Sequence, residues 1–190
     1  MAKTKSRKVE VARRMHDLYT QKWGFQSCDL MIDVLTFTIG TGVDADRALG
    51  LETLDAIEVL SREFPECGFL LGVSNISFGL KPQARKVLNS VFLYEAIRRG
   101  LTAAIVHSSK ILPKHTVPKE HWDAARALIY NEQQEDVDPL LYFLSLFEDG
   151  VEAEDIPAEL LPIEDRLRKH IIDGKREGLY NSLEEALEQW

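Results

Sequence analysis

Apolar residues near the start of the chain recur every three or four positions, at Val9, Ala12, Met15, Tyr19 and Trp23. That period predicts one amphipathic helix over residues 6–24, capped by Ser6 and stopped at Gly24. DLMIDV (29–34) then reads as a short apolar strand closed by a carboxylate, and the Thr- and Gly-rich LTFTIGTG (35–42) as a loop. A second amphipathic stretch runs from Asp44 to Glu63, with Leu51, Leu54, Ile57 and Leu60 on one face and Pro65 to end it. GFLLGVSN (68–75) is an uncharged second strand and ISFGLKP a second loop. Gln83 to Arg99 forms a third helix, striped by Val87, Val91, Tyr94 and Ile97, with Gly100 placed as its C-terminal stop. LTAAIV (101–106) is a third strand.

Apolar strands alternating with amphipathic helices predict a parallel sheet covered by helices. Either a Rossmann-like sheet or a (β/α)8 barrel satisfies this order, and in both the loops after the strands form the working face. No GxGxxG follows a strand, which weakens the dinucleotide reading. After Val106 the pattern becomes helical, over Pro118–Asn131 and the short, very apolar Pro139–Phe147. An acidic stretch with Pro157 and Pro162 reads as an interdomain linker. Ile163–Asp173 and Ser182–Trp190 follow as two more helices, separated by Gly174 and Gly178. The domains expected are therefore 1–150, a linker at 151–162, and 163–190.

Composition adds mainly exclusions. The chain has 190 residues, 45% of them hydrophobic, which fits one domain or slightly more. Its net charge of −8 is unevenly spread: the first 23 residues hold seven Lys/Arg, while residues 132–165 hold twelve Asp/Glu and no Lys or Arg. A short basic helix on an acidic chain reads as a solvated face, so no nucleic-acid partner is expected. No apolar run approaches the roughly 18 residues of a membrane span, and MAKTKSRK is not followed by the apolar core of a secretory signal. The expectation is a cytoplasmic protein with no membrane partner. Cys28 and Cys67 belong to no CxxC or CxxH pair, so neither a zinc nor a redox site is expected.

Candidate chemistry lies at the strand ends. Asp33 could accept paired N–H donors, as an aminopyrimidine edge presents them, or could cap its own loop. Asn75 could orient a heterocycle through its donor and acceptor, or serve as a turn former. His107 follows the third strand, but no two histidines form HxH or HxxxH.

Four segments carry a family resemblance. DVLTFTIGTG (33–42) with LGLETLDAI (49–57) is one. LLGVSNISFGLKPQARKVLNSVFLYEAIRRGL (70–101), with its S-N-x-S-F-G-L core and N-S-x-F-L-x-E helix, is the longest and most specific. AIVHSSKILP (104–113) and IEDRLRKHIIDGKREGLYNSLEEAL (163–187) complete the set. In this order they resemble cobalamin-dependent methionine synthases over nearly the whole chain.

The resemblance implies the C-terminal part of a pterin-binding (β/α)8 TIM barrel, strands six to eight, followed by α-helices that begin a cobalamin cap. It implies that Asp33 and Asn75 hydrogen-bond the pterin ring, that Asn75 helps to stabilise protonated N5, and that Arg85 lies toward the folate tail. The implied reaction moves a methyl group from 5-methyltetrahydrofolate through cobalamin to homocysteine. The family's D-x-H-x-x-G cobalamin motif and its zinc-site cysteine cluster are absent from this chain.

A barrel of this kind needs roughly 250 residues and eight strands. The chain is therefore expected to work with an N-terminal half-barrel and a cobalamin domain, in the same parent chain or in a separate subunit. Alone it is expected to be inactive and marginally stable. The alternative is a non-enzymatic half-barrel that self-associates or completes a partner.

Overall fold

The computed structural model describes residues 1–133, 137–147, 163–173 and 178–189. The chain divides into two compact units, Met1–Asp149 and Gly150–Trp190. The linker expected at 151–162 lies outside the described residues.

In the first unit, α1 (Lys5–Asp17) is capped by Thr4 rather than Ser6; the Thr4 hydroxyl accepts the Arg7 N–H at 3.3 Å. The helix widens into a π-helical turn over Leu18–Lys22. That turn shifts the phase of the apolar stripe from Leu18 onward. Val9 and Ala12 are buried, whereas Met15, Tyr19 and Trp23 are exposed. The basic face is solvated at Lys5, Arg7, Arg13 and Arg14, but Lys8 is buried.

Three strands follow: β1 (Met31–Asp33), β2 (Gly68–Gly72) and β3 (Ala103–Ile105). They form one parallel sheet in the order β1-β2-β3. Each is shorter than its apolar run. β2 ends at Gly72 because Val73–Ser77 winds into a single turn of 3-10 helix, so Asn75 sits in that turn and not at the strand's end.

The connecting helices are α2 (Leu49–Glu63), α3 (Pro82–Arg98) and α4 (Lys119–Tyr130). Pro82 at the first turn of α3 needs no N–H partner, and Gly100 just beyond its end adopts φ 104°. Ile32, Phe69 and Leu71 point to the side these helices cover and are buried with Leu54, Ile57 and Leu88. The opposite face is open: among the described residues Met31 is 60% exposed and Ile105 64%. A strand buried on both sides was the expectation; here the sheet has one dry side and one uncovered side. The unit ends with α5 (Pro139–Ser145), capped by Asp138.

In the second unit, α6 (Ile163–Asp173) and α7 (Leu179–Gln189) form a helical pair. α7 starts three residues before the expected Ser182, behind Gly178 at φ 76°. An Arg166–Glu185 ion pair of 2.6 Å joins the two helices, and Ile163 and Ala186 are buried.

Candidate functional site

The sheet register places Asp33 beside Leu70, and Leu70 beside Ala103. Strand partners in register share a face, so Asp33 stands on the uncovered side. One of its oxygens is used locally: Oδ1 accepts the N–H of Leu35 at 2.8 Å, as in an Asx turn. Oδ2 has no hydrogen-bond partner among the described residues. The loop-capping and ligand-binding readings of Asp33 are thus compatible, one for each oxygen. Leu35 itself adopts φ 65°, a left-handed conformation that a leucine rarely takes.

Asn75 reaches the same face by a different route. Its Nδ2 lies 3.4 Å from the point where a Cβ on Gly72 would project. Gly72 is two residues beyond Leu70 and pairs with Ile105. The amide is therefore folded over the open side of β2, in space that a larger residue at 72 would fill. It has no side-chain partner among the described residues.

Arg85, on α3, is turned toward the segment that carries Asn75. Its Nε donates to Ser77 Oγ at 3.1 Å and its Nη2 to the Ser74 carbonyl at 3.2 Å. Ser77 Oγ donates in turn to Asn89 Oδ1 at 2.8 Å. Arg85 therefore braces the 3-10 turn. It also lines, with Ser74, Asn89, His107 and Lys110, a cleft of about 430 Å³ between the loops after β2 and β3. His107 Nδ1 lies 2.9 Å from Ser109 Oγ.

The loops after β1 and β2 are joined. Ile39 N donates to the Ile76 carbonyl at 3.0 Å, and Thr38 Oγ1 to the Phe78 carbonyl at 2.9 Å. Gly40 permits the approach: a Cβ there would lie 2.7 Å from Leu80 Cδ2 and 3.3 Å from the Phe78 oxygen. Asp33 and Asn75 thus belong to one braced surface.

Sequence reasoning missed Lys8. Its ammonium donates to the carbonyls of Val34 and Leu35 at 2.8 and 2.7 Å, directly beneath the loop that follows Asp33. Burial pushes the amine down to about 8, against the nearby Asp33 and Glu52 carboxylates, which favour its charge. A signal existed: Lys8 lies one helical turn before Ala12 and so on the buried stripe. Thr38 and Ser77 gave no comparable signal.

A free carboxylate oxygen and a free amide on one uncovered sheet face can hold a flat heterocycle that offers both donors and acceptors. Among the described residues, no three His, Cys, Asp or Glu side chains gather as a metal site. No helix among them is long and apolar enough to cross a membrane.

The chain is 48% identical over 194 residues to the methionine synthase of Mycobacterium tuberculosis, and equally to that of Mycobacterium leprae. Each alignment covers 99% of this chain and 16% of the relative. A family model described as pterin binding enzyme matches residues 1–107. That match spans more than half of the 190 residues, and the chain belongs to the pterin-binding enzyme family.

Proposed function

We propose that this chain supplies part of the pterin site of a cobalamin-dependent methionine synthase, a cytoplasmic enzyme with 5-methyltetrahydrofolate as methyl donor. The observation that carries this is the shared placement of Asp33 and Asn75 on the uncovered face, each with an unused polar group. The free oxygen of Asp33 accepts from the aminopyrimidine edge. The Asn75 amide fixes the ring's orientation and stabilises protonated N5. Protonation matters because a tertiary amine is a poor leaving group, and general-acid assistance makes it a better one. Arg85, in the neighbouring cleft, faces the folate tail.

In this reading the sheet is strands six to eight of a (β/α)8 barrel whose other strands cover Met31, Leu70 and Ile105. Residues 1–150 form the barrel part, 151–162 a linker and 163–190 the start of a cobalamin cap. The partners are the remaining half-barrel and a cobalamin domain. No D-x-H-x-x-G segment and no cysteine cluster occur in this chain, so no residue here is assigned to cobalamin or zinc and no step is derived through either.

The test uses the full-length protein that contains this chain. Asp33→Asn should weaken 5-methyltetrahydrofolate binding about tenfold, the loss of one charge-assisted hydrogen bond. Asn75→Ala should slow methyl transfer on the order of 100-fold, the usual loss when one hydrogen bond to developing charge is removed. An Asn75→Ala enzyme with an unchanged rate sinks the assignment.

The exposure of Met31 and Ile105 favours a second reading, a non-enzymatic half-barrel that covers this face by self-association or with a partner. A monomeric, cooperatively melting chain by light scattering and calorimetry counts against it.

A further inference from the structure

Lys8 is only 3% exposed, yet among the described residues it pairs with no carboxylate. Lysine is almost never so buried unless its charge is matched. Two of its three N–H groups are given to backbone carbonyls, and the ammonium lies 4.9 Å from the centre of the Phe37 ring. A purely packing role in this position would suit methionine, which has similar length and no desolvation cost. The chain instead keeps a cation under one short piece of backbone.

That backbone is the link between Asp33 and its own cap. The Val34 carbonyl and the Leu35 N–H are opposite ends of one planar trans peptide. Lys8 holds the carbonyl end at 2.8 Å, which directs the N–H end at Asp33 Oδ1, also at 2.8 Å. The next carbonyl, of Leu35, is held at 2.7 Å by the same ammonium and accepts a longer bond from Thr53 Oγ1 at 3.4 Å. Between the two carbonyls sits Leu35 at φ 65°, a conformation a leucine leaves unless it is constrained.

We propose that Lys8 is a positioning residue for the pterin site: by gripping the Val34 and Leu35 carbonyls it keeps Leu35 left-handed and leaves one Asp33 oxygen aimed out of the open face. Lys8's role depends on Asp33 being a pterin ligand, as proposed above. It touches no substrate and acts through the peptide that carries Asp33's partner.

The full-length protein and its variants are titrated with 5-methyltetrahydrofolate by calorimetry, with circular dichroism to check the fold. Lys8→Met should raise the Kd at least tenfold while the spectrum stays unchanged. Adding Leu35→Gly should recover most of that loss, because glycine adopts φ 65° without steric cost. A packing role predicts no such recovery. Unchanged affinity in Lys8→Met overturns the proposal, as does a loss that Leu35→Gly leaves in place. Should Lys8→Met alone fail to fold, the comparison moves to the Leu35→Gly background. There Lys8→Met should cost less than threefold, and a tenfold loss overturns the proposal. An Asp33→Ala protein that binds as the wild type does removes the pterin assignment itself, and Lys8's role with it. Affinity lost in Asp33→Ala but kept in Lys8→Met leaves the assignment standing and removes only Lys8.

Discussion

The hydroxyl of Thr38 donates to the carbonyl of Phe78 at 2.9 Å, across the gap between the loops after β1 and β2. With the Ile39–Ile76 backbone bond beside it, this makes the Asp33 loop and the Asn75 turn a single braced surface. If Asp33 and Asn75 share one ligand, as proposed above, their individual placement gains little unless the two loops are held together.

Gly40 is where the brace is most easily broken. A methyl group there would meet Leu80 Cδ2 at 2.7 Å and Cγ at 2.9 Å, and the Phe78 oxygen at 3.3 Å. The leucine can rotate but the carbonyl belongs to the brace. Gly40→Ala should cost about 1–3 kcal/mol, the usual range for overpacking. Denaturant melts read that cost. Faster hydrogen exchange at the Ile39 amide, against unchanged exchange within β2, would place the damage between the loops; uniform loss of protection would assign it to the core instead.

Away from the site, Arg99, Tyr130 and Glu95 tie three helices together. Arg99 meets Asp55 at 2.5 Å and Glu58 at 3.1 Å, while the Tyr130 hydroxyl donates to Glu95 at 2.8 Å. Glu95 is buried, and a cation, Arg126, stands 4.0 Å from its other oxygen. Tyr130→Phe removes the close donor from a buried carboxylate and should destabilise by about 1–3 kcal/mol. Pterin binding should be unaffected, since these residues brace helices and lie in neither site loop. A thermal melt within a degree of wild type would show that Arg126 or water replaces the hydroxyl.

Much of the fold was legible because its signals are local. The stripe of α2 and the Pro82 and Gly100 boundaries of α3 each rest on a few neighbouring residues, and the structure places them close to where the pattern predicts. The misses come from what neighbouring residues cannot encode. β2 stops at Gly72, although Val73 is as apolar as the residues before it, because Val73–Ser77 winds into a 3-10 helix that apolarity does not mark. The stripe of α1 loses Tyr19 and Trp23 to a π-turn that changes the helix's phase from Leu18 on, while Met15, ahead of that turn, is exposed on the regular helix. In the candidate site, Asp33 and Asn75 stood out as polar residues after apolar strands, and the structure brings them to one face. Lys8 was legible only as a lysine on the buried stripe; its partners were not, because they are backbone carbonyls 26 and 27 residues away, and any sequence supplies carbonyls.

The depressed Lys8 amine has a pH signature. Its ordinary value is 10.5 and in the folded chain it is held down to about 8, chiefly by burial, with Asp33 and Glu52 opposing. Between those values the unfolded chain binds more protons than the folded one, so this group makes stability rise with pH through that window. Below about 8 the amine is charged in both states and contributes no slope. The buried Cys67 thiol, raised above its ordinary 9.0, acts in the opposite sense but is common to wild type and variant. Subtracting Lys8→Met from wild type should therefore leave a rising difference. A flat difference in denaturant melts across the window would mean the amine titrates normally.

Asp138 allows charge and capping to be separated. Its Oδ1 accepts the N–H groups of Leu140 and Leu141 at 2.8 and 3.3 Å, while Oδ2 pairs with Arg47 at 2.5 Å. The helix it caps, α5, is seven residues long and too short to persist unaided. Arg47 first, and then the two backbone amides, hold the carboxyl below its ordinary 3.8. A lowered folded value means the stability it contributes is complete above about 3.8 and is lost as pH falls through that folded value. Asp138→Asn keeps an oxygen for the cap and removes the charge, so it should abolish Asp138's share of the acid loss while leaving the cap at neutral pH. Asp138→Ala removes both and should cost about 1 kcal/mol more than Asp138→Asn, the worth of a cap. Equal stability of the two variants at neutral pH would show that α5 is held by the packing of Leu140 and Phe143, with the cap contributing nothing measurable.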